Sequence, residues 1–168
     1  VDWRWGEGFG SWVDALAQNI ALNVAPLVGH SVLRMYVMGP EAQSRAATAD
    51  EIKAMADLLR TCLDAGAVGL STSFVDIDET YRPVPSRWAA PEELDALSAV
   101  LGERDRVLQI VHEFYDTDLT VARVAQLAEL SLRHGITTTL SPLFHSDANQ
   151  SGVDKVMAAV EDARAIEA

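Results

Sequence analysis

The stretch Gly66-Ala67-Val68-Gly69-Leu70-Ser71-Thr72-Ser73-Phe74 constrains this chain most. A glycine closes one helical pattern, a short apolar run follows, and the run stops in small hydroxyl residues. The same layout, helix then buried strand then polar strand end, recurs along the 168 residues. Strands that alternate with helices are joined by right-handed crossovers and lie parallel in one sheet. The expected fold class is therefore α/β, built of parallel βα units. In such folds the carboxyl ends of the strands share one face, and chemistry is placed there.

The apolar spacing predicts the elements one by one. Ser11 is placed to cap a short helix carrying Trp12, Ala15 and Leu16, after a glycine loop with Gly6, Gly8 and Gly10. Trp3, Trp5 and Trp12 read as packing anchors, with a sugar or aromatic-ligand site as the other reading. Residues 20–29 read as a buried strand that Pro26 makes short, bulged or an edge, because proline has no amide to donate. A helical turn over 31–37 and a polar loop over 40–47 follow. Thr48-Ala49-Asp50-Glu51 is a capping box ahead of Ile52, Met55, Leu59, Cys62 and Leu63 at helical spacing. Further strands are predicted over 68–74, 107–111 and 136–140. Helices are predicted from Pro91, over 120–133, and from 153 to the end. His134 lies in the last turn before Gly135 and suits the helix dipole. The long loop 76–88 contains Pro83-Val84-Pro85, and loops of that length usually serve as lids or binding loops. Four such units fit half of an eight-stranded barrel or a small open sheet.

Composition removes several classes of function. The net charge of −12 disfavours nucleic acid and anionic membrane surfaces. No apolar run reaches the roughly 18 residues that span a bilayer, and no secretory signal is visible. The single cysteine, Cys62, falls on an apolar helix face, where it reads as structural. A reducing compartment, and hence a cytoplasmic location, fits it. The first residue is Val1 and the last helical pattern runs to Ala168 without a stop signal. The expectation is a single unit over 1–168, excerpted from a longer protein.

His30, His112 and His145 fall at predicted strand ends. Imidazoles gathered on one rim can bind a divalent metal with an open position for water. Glu113 and Asp147 are nearby carboxylates for support or proton transfer. Ser71, Thr72 and Ser73 suit a substrate carboxylate or phosphate. The chain has no Gly-x-Ser-x-Gly elbow, no Walker loop and no dinucleotide fingerprint.

The runs Asn23-Val24-Ala25-Pro26-Leu27-Val28-Gly29-His30-Ser31-Val32-Leu33-Arg34, Val37-Met38-Gly39 and 66–73 resemble blocks of the N-acyl-D-amino-acid deacylases, within the metal-dependent amidohydrolase superfamily. The segment 48–59, and Pro83-Val84-Pro85-Ser86 followed by Glu92-Glu93-Leu94, resemble the same family. The resemblance implies a (β/α)8 TIM barrel with a small attached β domain, of which this chain is about half a barrel. It also implies hydrolysis of an amide by a metal-activated water, with a divalent metal, zinc, as cofactor and a small N-acyl-D-amino acid as substrate. His112 matches the first of two later strand-end histidine ligands. The second normally follows a strand-end serine; here Pro142 follows Ser141, and His145 stands three residues on. His112 and His145 are thus the implied metal ligands. His30, Arg34 and Ser73 are expected to be structural or to touch substrate, and Arg82 or Arg87 to hold a substrate carboxylate. The family's early His-x-His pair, bridging ligand and late aspartate have no counterpart here. A second reading is a binding or association module that catalyses nothing. Its open strand edges and an uncovered apolar face would lead it to self-associate. A third is a self-contained, doubly wound ligand-binding domain.

Overall fold

The computed structural model describes residues 6–18, 20–144 and 151–166. Trp3, Trp5, His145 and Asp147 lie outside the described residues. Helix α1 (Gly8–Ala17) is followed by four strand–helix units. These are β1 (Leu27–Gly29) with α2 (His30–Met38) and α3 (Ala49–Asp64), β2 (Gly69–Ser73) with α4 (Pro91–Gly102), β3 (Val107–Val111) with α5 (Thr117–His134), and β4 (Thr137–Ser141) with α6 (Gly152–Ile166). The four strands form one parallel sheet in sequence order. Ser71 is level with Gln109 and Thr139, and Ser73 with Val111 and Ser141, so the strand ends form a single rim. Consecutive neighbours in that order match successive units of a barrel and not a doubly wound sheet, whose order reverses at a switch point.

Side-chain alternation decides what each face meets. Leu70, Leu108 and Ile110 are fully buried against Leu59, Leu97, Leu101 and Leu127 from the helices. Burying each such side chain contributes about 1.5–3 kcal/mol. The opposite face carries Ser71, Gln109, Thr137, Thr139 and Ser141, with Val107 and Val111 between them. Ser71 donates to the Gln109 side chain across the strands. The open face is therefore mixed and largely polar, not the apolar face expected.

Other departures have local causes. The first strand is confined to Leu27–Gly29, and Ile20, Leu22 and Val24 are exposed. Pro26 offers only its carbonyl, which accepts from the Val68 amide at 2.9 Å. Residues 30–38 form a nine-residue helix where a turn was expected, and Gly39–Gln43 is a 3-10 turn instead of an open loop. Helix α5 begins three residues early because the Asp116 carboxylate accepts from the amides of Asp118 and Leu119. Helix α1 starts at Gly8, and Ser11 donates back to the Glu7 carbonyl instead of capping.

The capping box of α3 forms as expected. The Glu51 amide donates to Thr48 Oγ1, and the Thr48 amide donates to the Glu51 carboxylate at 2.8 Å. Hydrogen bonds from Arg45 first, then from the Thr48 amide, pull the Glu51 carboxyl down to about 2. Thr48→Ala is expected to lower stability by about 1 kcal/mol. The check is a denaturant midpoint that falls with unchanged slope.

Candidate functional site at the strand ends

His30, the first residue of α2, leaves the end of β1 and is buried. Its Nδ1 lies 2.9 Å from Thr72 Oγ1, and its Nε2 lies 2.7 Å from Glu93 Oε1. One helical turn on, Arg34 is fully buried. It donates to the other oxygen of Glu93 and to the carbonyls of Ala42 and Arg45. Glu93, in the first turn of α4, is itself fully buried. One carboxylate therefore joins β1–α2, β2 and α4. Burial opposes its ionisation, but the hydrogen bonds from His30 and Arg34 together outweigh burial and hold the carboxyl below its ordinary range.

A cavity of about 160 Å³ opens at this rim. His30, Ser71, Thr72, Ser73, Asp76 and Ser86 are among the residues lining it. Ser73 is buried and its hydroxyl accepts from the amides of Val75 and Asp76, starting the long loop. The Ser86 hydroxyl donates to the Ser73 carbonyl at 2.9 Å and closes the loop's other end on the same strand. Asp78 is the loop's hub. It accepts from the Thr80 hydroxyl and amide, the Arg82 amide and guanidinium, and Gln43. The Thr80 hydroxyl, then the Arg82 amide, then Gln43 hold its carboxyl well below the usual range. Arg82 is thus directed at Asp78, and Arg87 donates to the carbonyls of Val75 and Asp76. Both predicted carboxylate-holding arginines are engaged in the loop's own architecture.

His112 follows β3 directly and is buried. Its Nδ1 lies 3.1 Å from Thr120 Oγ1 in α5, and its Nε2 lies 2.8 Å from the carbonyl of Pro142, just past β4. Glu113 pairs with Arg123 at 2.5 Å, and the Arg123 guanidinium lies 3.5 Å over the Phe74 ring. His30 and His112 thus occupy one rim. Each is held by a threonine hydroxyl on one nitrogen and by an oxygen acceptor on the other. Among the described residues, no three His, Cys, Asp or Glu side chains group closely enough to hold a metal ion.

Sequence reasoning missed Glu93, which reads with Glu92 as an ordinary acidic helix start. The available signal was Arg34, the lone formal charge in α2 and flanked there by Val32, Leu33 and Met35, which needs a buried partner. His134, expected to serve only the dipole, also bonds Asp95 of α4 at 2.9 Å. Cys62 is buried, and burial pushes its thiol up, as expected of a structural cysteine.

No family model matches the chain. It is 51% identical over 67 residues to a D-aminoacylase of Alcaligenes xylosoxydans xylosoxydans, covering 39% of this chain and 13% of that protein. It is 37% identical over 126 residues to an N-acyl-D-glutamate deacylase of the same organism, covering 74% of this chain and 24% of that protein. The chain therefore spans about a quarter or less of the length of these curated relatives. Among solved structures, an N-acyl-D-glutamate deacylase from Bordetella bronchiseptica, complexed with zinc and a phosphonate mimic of the tetrahedral intermediate, superposes with a TM-score of 0.79. The identity is 31%, over 95% of this chain and 32% of that one. A D-aminoacylase described with a binuclear metal centre superposes with a TM-score of 0.78 at 29% identity, over 94% of this chain and 32% of that one. By sequence and by fold, the chain is a homologue of one part of the N-acyl-D-amino-acid deacylases, the amidohydrolases of the D-aminoacylase type.

Proposed function

We propose that this chain is an internal portion, residues 1–168, of a longer (β/α)8-barrel hydrolase that cleaves the amide bond of N-acyl-D-amino acids with a divalent metal, preferably zinc. The observation that carries the reading is the near-complete superposition, at 31% identity, on a deacylase holding zinc and a tetrahedral-intermediate mimic. A bound metal would supply an activated water and polarise the scissile carbonyl. The described residues do not themselves make a metal site. His112 and His145 are this chain's proposed contributions to the ligand set, and the other ligands belong to the rest of the barrel. His30 and Ser73 border the rim cavity, which supports a substrate-contacting role for them. Arg34 acts through Glu93, and Arg82 and Arg87 act by holding the loop that walls the cavity. No helix among the described residues is long and apolar enough to cross a membrane. The acidic charge and the lone buried thiol support a cytoplasmic enzyme of small substrates without nucleic-acid or membrane partners.

Among the described residues the outer edges of β1 and β4 are unpaired, which favours a second reading, an association module that catalyses nothing and self-associates through those edges. An assay of the intact protein separates the two. The expected result is release of free amino acid from N-acetyl-D-amino acids but not their L isomers, lost on chelation and restored by zinc. His112→Ala is expected to lower that hydrolysis at least about 100-fold and to reduce bound metal. Unchanged metal content and turnover in His112→Ala would reject its ligand role, and metal-independent inertness of the wild type would favour the association module.

A further inference from the structure

The rim cavity of about 160 Å³ is lined from the sheet by Gly29, Ser71, Ser73 and Val111, and from the long loop by Asp76 and Ser86. At about 30 Å³ for each water-sized group, it has room for about five non-hydrogen atoms.

The hydroxyl protons decide what such a group can be. A serine hydroxyl carries one proton and two lone pairs. Ser71 gives its proton to the Gln109 side chain, and Ser86 gives its proton to the Ser73 carbonyl. Toward a ligand both oxygens can therefore only accept. Ser31 accepts from the Ser86 amide, and Ser73 accepts from the amides of Val75 and Asp76, so each keeps its proton. Asp76 lines the same cavity, and among the described residues its carboxylate has no hydrogen-bond or ion-pair partner. Among those residues no lysine or arginine lines the cavity. Arg82 is turned to Asp78, Arg87 donates to the carbonyls of Val75 and Asp76, and His30 has both ring nitrogens bonded within the fold. Acceptors thus outnumber donors, and the charge without a partner is negative. An anion brought to the Ser31 and Ser73 protons would share the cavity with Asp76, with no cation to offset the repulsion. This is the reverse of the anion site that the hydroxyl run suggests in sequence. A cation carrying N–H groups would find both a counter-charge in Asp76 and lone pairs on Ser71 and Ser86.

We propose that the rim cavity is a subsite for a cationic group of the substrate, held by Asp76: a primary ammonium on a short alkyl chain, as in the side chain of an N-acyl-D-lysine. Its four carbons and one nitrogen match the room available. The proposal rests on the hydrolase reading above.

Binding without turnover tests the cavity first. Calorimetric titration of the intact protein compares butylammonium, butanol and butyrate. Butylammonium is expected to bind about fivefold or more tighter than butanol, and butyrate more weakly than either. Asp76→Asn is expected to bring butylammonium to the level of butanol, and Asp76→Glu to keep part of the difference. Hydrolysis tests the subsite next, with Nα-acetyl-D-lysine, its uncharged counterpart N-acetyl-D-norleucine, and N-acetyl-D-glutamate. The lysine substrate is expected to exceed norleucine in kcat/KM by about fivefold or more, with glutamate last. Asp76→Asn is expected to move the lysine-to-norleucine ratio toward one, chiefly through KM. Butyrate binding as well as butylammonium, a preference for glutamate, or ratios that Asp76→Asn leaves unchanged would overturn the cationic subsite and leave the hydrolase reading intact. Cleavage of none of the three substrates, with butylammonium still held through Asp76, would remove the hydrolase reading and leave the cation-binding cavity standing.

Discussion

Glu93→Ala is expected to cost about 3–5 kcal/mol of unfolding free energy. The wild-type carboxylate receives hydrogen bonds from His30 and Arg34, and all three side chains are buried. Alanine leaves the Arg34 guanidinium with only the Ala42 and Arg45 carbonyls, as a fully buried charge without a counter-charge. The isolated desolvation of such a charge is the term that a lone partner deletion exposes. Glu93→Gln keeps the shape and one acceptor and is expected to cost less. The same site sets part of the acid response. The folded carboxyl titrates below the unfolded one, so the unfolded chain binds the proton first as pH falls. The stabilisation is complete above the unfolded value, about 4.3. It is lost as pH drops through the lower, folded value. The wild-type melting temperature is therefore expected to fall between pH 5 and pH 3, with a shallower slope in Glu93→Gln. Thermal melts at matched ionic strength measure both.

Gly69→Ala is expected to be nearly as damaging, about 3 kcal/mol, the upper end for overpacking. Gly69 opens β2, the second strand of the sheet, between Leu27 of β1 and Val107 of β3. A Cβ there would stand 2.1 Å from the Val107 carbonyl oxygen and 2.7 Å from the Val107 side chain. The first contact is with backbone that the β2–β3 ladder fixes, so it cannot be relieved by a rotamer change. Gly66, three residues earlier, is a useful control with the opposite physics. A Cβ there meets nothing, but its φ of +109° suits glycine alone among common residues. Gly69→Ala should therefore disturb β2–β3 pairing, seen as faster amide exchange in both strands, whereas Gly66→Ala should loosen the α3 terminus.

Much of this arrangement is legible from local chemistry. The Thr48–Glu51 box, the glycines at 66 and 135 and the spaced leucines of α3, α4 and α5 each act within a few residues, so their signals survive in the linear chain. Strand β1 is only partly legible. Its apolar run extends back to Ile20, but Pro26 and solvent exposure limit pairing to three residues. The polarity of the open face is hard to read in sequence because barrel interiors and helix-covered faces alternate along one strand. In Thr137-Thr138-Thr139-Leu140-Ser141 that alternation is visible only once the register with Gln109 is known. The site is the least legible part. His30 and His112 can be placed at strand ends from pattern alone. Their partners, Glu93 sixty-three residues away and the Pro142 carbonyl thirty away, depend on tertiary packing. Likewise, two loop arginines look free in sequence because the Asp78 hub that engages Arg82 and the turn carbonyls that engage Arg87 are products of the folded loop.

The most direct test of the strand-end rim as the working face is anomalous diffraction at the zinc edge from crystals of the intact protein grown with zinc. The account predicts a peak at the strand-end rim about 2.1 Å from a nitrogen of His112, with Nε2 released from the Pro142 carbonyl. A peak confined to another part of the barrel, with His112 still bonded to Pro142 and Thr120, would contradict it.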